Sequence, residues 1–299
     1  MQVYDSVSEI IGKTPLVRLK GFGENLYGKC EFLNPSHSIK DRAAYAMIKK
    51  ALDEAHISKE TTIIECTSGN MGISLAMICA TLGLKIILTM PESMSIERRK
   101  MMALFGAKLE LTPASEGMKG AYERALALHK EIKNSFIPSQ FENLANKFAH
   151  RENTAVEILN DLDGKIDYFV AGFGTSGTIS GVGEVLKEKF ADKVKIIAVE
   201  PAASPLLSKG KAGGHKIQGI GANFIPKILN QSVIDEIQTI SNEDAIATAR
   251  ELALKNGLMV GISSGANVFI ASKIAKANPD KIIVTMLNDT AERYLSTDL

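Results

Sequence analysis

Three loops of this chain carry residue types whose spacing suits chemistry. The first is Asn34-Pro35-Ser36-His37-Ser38-Ile39-Lys40-Asp41-Arg42, which sets one lysine at the mouth of a helix. The following run, Ala43 to Leu52, is rich in good helix formers. Ser38 reads as the N-cap, with Pro35 just outside the start. Lys40 then falls in the first turn, where the helix dipole disfavours a cation. A lysine there is pushed toward its neutral form, the form that attacks a carbonyl. Lys and Arg together number 35, so position alone does not distinguish Lys40 from a surface lysine.

The second loop is Cys66-Thr67-Ser68-Gly69-Asn70-Met71-Gly72, between a strand and a helix. Two hydroxyls, a carboxamide and two glycines make a donor-rich cup at a helix N-terminus, suited to a carboxylate or a phosphate. An ordinary βα turn uses the same residue types. The third is Gly172-Phe173-Gly174-Thr175-Ser176-Gly177-Thr178, again between strand and helix. Its glycines let the backbone approach an anion, and its N–H groups and hydroxyls can satisfy phosphate oxygens. No Gly-Lys-Ser/Thr follows, so it is not a Walker loop, and Thr178 stands where a dinucleotide fingerprint has its third glycine. A weaker feature, Gly261-Ile262-Ser263-Ser264-Gly265-Ala266, precedes a helix of small and apolar residues. A phosphate-bearing ligand whose carbonyl a lysine can hold fits all of these, and pyridoxal 5′-phosphate is such a ligand.

The elements that must position these loops alternate. Strands are expected at Thr61–Glu65, Leu84–Met90, Lys108–Thr112, Asp167–Ala171, Val194–Val199 and Lys281–Leu287. Helices are expected at Gly72–Leu82, Ile96–Phe105, Gly117–Lys133, about 146–162, Thr178–Phe190 and Asn242–Lys255, the last with a capping box of Ser241 and Asp244. Continuous apolar strands between helices predict an α/β protein with mainly parallel twisted sheets covered by helices. Open parallel sheets bind ligands at the carboxyl ends of their strands, where Cys66–Gly72, Gly172–Thr178 and Gly261–Ala266 are expected to fall. At 299 residues the chain has room for two domains.

Composition excludes several function classes. The formal net charge is +1, so no field recruits nucleic acid or an anionic membrane. No apolar run approaches the roughly 20 residues that span a bilayer. The opening Met1-Gln2-Val3-Tyr4-Asp5-Ser6 lacks the basic and apolar regions of a secretory signal. Cys30, Cys66 and Cys79 have no C-x-x-C spacing and are expected as buried thiols in a reducing cytoplasm. The five histidines show no metal-ligand spacing, and His37 reads as a surface turn residue.

The chain resembles the cysteine synthases (O-acetylserine sulfhydrylases) and the related cystathionine β-synthases, pyridoxal-phosphate enzymes of fold type II. The likeness runs through Ile11-Gly12-Lys13-Thr14-Pro15-Leu16-Val17, Asn34 to Arg42, Thr67 to Gly72, Gln140-Phe141-Glu142-Asn143, Gly174 to Thr178, Gly219-Ile220-Gly221, Gly261 to Ala266 and Glu292 to Thr297. It implies two domains with the active site between them. The smaller, mobile one, 34–143, takes the substrate carboxylate. The larger, 1–33 with 144–299, binds the cofactor phosphate. By resemblance, Lys40 is the Schiff-base lysine and the base for the substrate Cα proton. Asn70 hydrogen-bonds the cofactor's 3′ oxygen, and Gly174, Thr175, Ser176, Gly177 and Thr178 form the phosphate cup. Ser263 faces the pyridine nitrogen, and a neutral serine there favours β-elimination over transamination. Thr67, Ser68, Met71 and Gln140 cradle the substrate α-carboxylate, with Gly221 and Asn223 at the mouth for the second substrate.

The implied reaction is β-replacement through an aminoacrylate, O-acetyl-L-serine plus sulfide giving L-cysteine and acetate. An alternative takes L-cysteine, releases hydrogen sulfide and forms serine, lanthionine or cystathionine. A third reading is an inactive binding partner of serine acetyltransferase. A homodimer is implied by the resemblance alone. Met71 stands where the family usually has threonine, Asn223 where glycine is common, and Asn288 where proline is usual; Ser176 for a glycine is a milder departure.

Overall fold

The computed structural model describes residues 3–299. In chain order its elements are β1 (Leu16–Arg18), β2 (Leu26–Cys30), α1 (Lys40–Asp53), β3 (Thr62–Cys66), α2 (Asn70–Leu82), β4 (Lys85–Pro91), α3 (Ile96–Leu104), β5 (Lys108–Thr112), α4 (Gly117–Glu131) and β6 (Ser135–Phe136). Then follow α5 (Leu144–Ala149), α6 (Ala155–Asp161), β7 (Tyr168–Gly172), α7 (Gly177–Phe190), β8 (Lys195–Pro201), α8 (Leu206–Lys209), β9 (Glu236–Ile240), α9 (Asn242–Asn256), α10 (Ile262–Ala277) and β10 (Ile283–Leu287). The expected α/β class holds, with helices between parallel strands.

The chain forms two compact units. One comprises the segment ending at Ile11 with Lys40–Asn146; the other comprises Gly12–Ile39 and Lys147–Leu299. The first has a four-stranded, wholly parallel sheet in the order β5-β4-β3-β6. Ile63 and Leu88 share one apolar cluster with Met47, Ile48, Ile73 and Leu75 of α1 and α2. Ile64 and Ile87, on the opposite face, pack with Ala125 and Leu128 of α4. Alternate residues of one strand thus feed opposite layers, as the period of two in a strand requires.

The second unit has six strands in the order β1-β2-β10-β7-β8-β9, parallel except for the β1–β2 hairpin. Val170, Ile197 and Val199 face α9 and α10, while Phe169, Ala171, Ile196 and Ala198 face α6 and α7. β8 and β10 are buried almost throughout, which explains why they read as unbroken apolar runs. The Ser241 hydroxyl accepts from the Asp244 N–H, capping α9 as the capping-box pattern anticipates. Lys29 of β2 is fully buried and pairs with Glu157 (3.0 Å) and Asp161 (3.1 Å) on α6.

In both sheets the strand order reverses direction at one place. In the smaller unit β3, β4 and β5 run one way and β6 lies on the other side of β3. In the larger, β7, β8 and β9 run one way and β10 lies beside β7. The loops after β3 and β6, and after β7 and β10, therefore splay apart and leave a crevice.

Three local differences from the sequence reading have physical causes. Asn34–Ile39, expected in the smaller unit, are bonded into the larger. Gly12 N–H donates to Asn34 Oδ1 (2.8 Å), Ile39 N–H to the Asn288 carbonyl (2.8 Å), and Arg293 to the Ser36 carbonyl. Ser38 forms a bridge with Asp289, and α1 opens at Lys40, one residue later than a Ser38 cap would place it. The helix expected over about 146–162 is present without a gap but widens into a π turn at His150–Thr154, where His150 Nδ1 meets Thr154 Oγ1 (2.9 Å) and Nε2 meets Thr178 Oγ1 (3.3 Å).

α10 packs on α9 through Gly265. A Cβ there would stand inside contact distance of the Ala245 carbonyl oxygen and 2.7 Å from Ala249 N. Gly265→Ala is expected to destabilise the protein by about 1–3 kcal/mol, the range for overpacking, in urea denaturation; an unchanged midpoint would show that the two helices separate freely.

Candidate functional site

The larger unit builds a cup at its switch point. β7 ends at Gly172, whose N–H donates to Asn267 Oδ1 (2.8 Å); Asn267 Nδ2 donates to the Met286 carbonyl (3.0 Å). One carboxamide on α10 thus ties the ends of β7 and β10. The chain then turns through Phe173-Gly174-Thr175-Ser176 into α7. Gly174 is held against the Gly219 carbonyl so closely that a Cβ would overlap it. Ser176 adopts a left-handed backbone, φ 71°, ahead of the helical Gly177. Left-handed then right-handed residues turn successive N–H groups to one side and make an anion nest.

Thr175 and Ser176 are buried, and the Ser176 hydroxyl has no hydrogen-bond partner among the described residues. An orphaned buried hydroxyl is costly unless a ligand completes it. The cup lies at the N-terminus of a 14-residue helix and presents N–H groups and neutral hydroxyls, so its donor set fits a phosphate. Thr178, half-buried, meets His150 behind the cup.

Beyond the cup, Gly221 N–H donates to the Phe173 carbonyl (2.7 Å), and His215 Nε2 lies 3.0 Å from the Gly221 carbonyl. This strap leads to Asn223, which is exposed, as are Phe224 and Ile225 after it. Ser263 is buried in the first turn of α10, and its Oγ accepts from Asn288 Nδ2 (3.0 Å). The glycine strap and the α10 start are neighbours, since a Cβ on Gly219 would stand 3.8 Å from Ser263 Oγ.

The smaller unit gathers a second donor set at its own switch point. Lys40, half-buried, opens α1, and Asp41 beside it accepts from the Ser74 hydroxyl of α2 (2.6 Å). After β3 come Thr67, buried, and Ser68 and Gly69, half-buried; Asn70 opens α2. Thr67 N–H donates to the Thr89 carbonyl (3.1 Å), which fixes the turn to β4. Gln140 follows β6 and is 6% exposed. Met71 is separated from this set: its side chain is 2% exposed and belongs to the apolar cluster with Met47 and Ile73. His37 is exposed in a left-handed turn.

The residue that sequence reasoning passed over is Glu65. It lies at the end of β3, 5% exposed, and accepts from Ser139 N–H (2.9 Å). It also accepts from the backbone and side chain of Gln140. Burial pushes its carboxyl up to about 7, against those hydrogen bonds, which lower it. Its signal was a carboxylate within an otherwise apolar strand, Ile63-Ile64-Glu65. The thiols behave oppositely to catalytic ones: burial raises Cys66 and Cys30 to about 11 and Cys79 to about 12.

Residues 7–289 match the family model described as pyridoxal-phosphate dependent enzyme. The chain is 71% identical over 299 residues to Cysteine synthase B of Campylobacter jejuni, covering 100% of this chain and 99% of that one. Among solved structures it superimposes on O-acetyl serine sulfhydrylase isoform 3 of Entamoeba histolytica with a TM-score of 0.95 at 41% identity, covering 99% of this chain and 91% of that one. A hydrogen sulfide-producing enzyme of Fusobacterium nucleatum gives a TM-score of 0.92 at 44% identity, covering 98% and 100%.

The raised carboxyl of Glu65 gives a stability test. Between the unfolded value, near 4.5, and the folded one, about 7, the unfolded chain releases a proton that the folded chain keeps. Stability from this group is therefore full below about 4.5 and falls as pH rises to about 7. The melting temperature of the wild type relative to Glu65→Gln is expected to fall across that window and level off above it. A difference independent of pH would contradict the raised carboxyl.

Proposed function

The chain belongs to the pyridoxal-phosphate dependent enzymes, and from that premise we propose that it catalyses β-replacement on a serine-type amino acid: O-acetyl-L-serine plus sulfide giving L-cysteine and acetate. The observation that carries the reaction class is the buried neutral hydroxyl of Ser263 at the start of α10, held by a carboxamide. A hydroxyl does not hold a ring nitrogen protonated as a carboxylate does, which favours loss of a β substituent over transamination. The 71% identity to a cysteine synthase supports the substrates.

Bound pyridoxal phosphate supplies the electron sink for the charge that forms on Cα. The chain's own groups do the rest. Gly174 to Thr178 hold the phosphate, with the Ser176 hydroxyl among its donors. Asn70 bonds the 3′ oxygen, and Ser263 stands at the ring nitrogen. Lys40 Nζ, at the start of α1, would hold the cofactor and, when free, would take the substrate Cα proton. Thr67, Ser68 and Gln140 bind the substrate α-carboxylate, and Glu65 holds the turn that carries Gln140. Met71 contributes through its main chain, since its side chain is spent on the core. The smaller unit is then the mobile, carboxylate-binding one and the larger the phosphate-binding one.

We take Gly221 and Asn223 to serve the entry of the second substrate. The exposed carboxamide of Asn223 favours a second reading, in which cysteine is the substrate and hydrogen sulfide the product, as the name of the Fusobacterium relative says of that protein. We further take the protein to be a cytoplasmic homodimer that can bind serine acetyltransferase; among the described residues no helix is long and apolar enough to cross a membrane.

The deciding experiment supplies the purified, cofactor-loaded protein with O-acetylserine plus sulfide, or with cysteine alone or with a thiol, and measures cysteine, acetate and sulfide. Cysteine and acetate are expected in equal amounts from the first mixture, faster than sulfide from the second. Lys40→Ala is expected to lower turnover by about 10²–10⁴-fold or more, the share of a positioned base. Faster sulfide release would establish the second reading, and no product from any mixture would leave only a binding role.

A further inference from the structure

We propose that Asn288 is a positioning residue that fixes the polarity of Ser263: its carboxamide donates to the serine oxygen, which leaves the serine's own proton to donate to the cofactor's ring nitrogen and keeps that nitrogen unprotonated. The inference rests on the reading above that Ser263 faces the nitrogen.

Asn288 follows β10 and is held at three points. Its N–H donates to Ser264 Oγ (2.8 Å), its carbonyl accepts from Ile39 N–H (2.8 Å), and its Nδ2 donates to Ser263 Oγ (3.0 Å). The backbone is thus pinned between the start of α10 and the residue before Lys40, and the carboxamide has a fixed target. A hydroxyl has one proton and two lone pairs, whereas an amide nitrogen has protons only. Asn288 Nδ2 therefore occupies a lone pair of Ser263 and cannot take its proton. Ser263 is 2% exposed, and among the described residues its hydroxyl has no other partner.

The neighbouring groups do not claim that proton either. Asp289, the next residue, accepts from the Tyr294 hydroxyl. Gly219, at φ 96°, offers no side chain, and a Cβ there would reach only to 3.8 Å from Ser263 Oγ. Among the described residues no group accepts that proton, which leaves it to a ligand atom. Donation into the serine oxygen also polarises its O–H bond and strengthens it as a donor. A protonated ring nitrogen would instead need Ser263 as an acceptor and would strand the serine proton in a buried setting. A proline at 288 would lack both the N–H and the carboxamide, so this arrangement belongs to the asparagine.

The test uses the protein loaded with 15N-labelled pyridoxal phosphate and reads the pyridine nitrogen resonance by NMR at one pH. The wild type is expected at the position of a neutral, hydrogen-bonded nitrogen. Asn288→Asp replaces the donor with an acceptor that draws the serine proton away, and the resonance is expected to move toward the pyridinium position. Asn288→Ala keeps the backbone bond to Ser264 and loses only the carboxamide; its resonance is expected between wild type and Ser263→Ala, so the proposal does not depend on the aspartate variant folding. A wild-type resonance at the pyridinium position, or Asn288→Ala identical to wild type while Ser263→Ala is shifted, would overturn the role of Asn288 and leave Ser263 at the nitrogen. If Ser263→Ala itself leaves the resonance unmoved, the placement of Ser263 fails, and the role of Asn288 with it.

Discussion

A parallel sheet covered on both faces has few places for polar groups. Its strands are paired and its faces are apolar, so donors and acceptors collect at strand ends and helix starts. Everything of chemical interest in this protein obeys that constraint. Thr67, Ser68 and Asn70 lie between β3 and α2, and the Gly174–Thr178 cup lies between β7 and α7. Ser263 opens α10, and Asn288 leaves β10. All but Ser263 sit at the carboxyl end of a strand beside which the sheet order reverses, and Ser263 sits at a helix start. The apolar layers below supply the rigidity: Val170 and Ile197 on one face, Phe169 and Ile196 on the other, hold the strands that aim these loops.

Rigid placement matters because the groups involved are weak ones. Neutral hydroxyls, amides and backbone N–H groups each contribute on the order of 1 kcal/mol, so orientation decides what they do. The larger unit invests several contacts in orientation alone. Asn267 ties β7 to β10, Gly174 rests against Gly219, and Asn288 is bonded through both its backbone and its side chain. The smaller unit does the same with Glu65, which holds Ser139 and Gln140, and with Asp41, which receives the Ser74 hydroxyl.

Much of this was legible in the sequence. β4 and β8 are apolar runs between turn residues, and α9 carries its capping box, so the alternation of strand and helix could be read directly. The glycine- and hydroxyl-rich loops marked the strand ends. Short or polar edge elements such as β1, β6 and β9 carry little apolar signal and were not anticipated. The π turn at His150–Thr154 is accompanied by contacts with Thr154 and with Thr178 on α7, which local periodicity cannot see. Glu65 and Asn288 were visible as oddities, a charge in an apolar strand and an amide where the family resemblance implies a proline. What each one does depends on partners 74 and 25 residues away in sequence. Met71 shows the converse: a change within a chemical loop whose side chain turns out to serve the core.

On this reading of the site, the chain holds pyridoxal phosphate on Lys40. Reduction of the cofactor-loaded protein with borohydride fixes the cofactor to whichever lysine holds it, and peptide mapping by mass spectrometry then locates it. One modified residue is expected, Lys40, with no stable attachment in Lys40→Ala. A label on any other lysine, or an equal label in the Lys40→Ala protein, would contradict it.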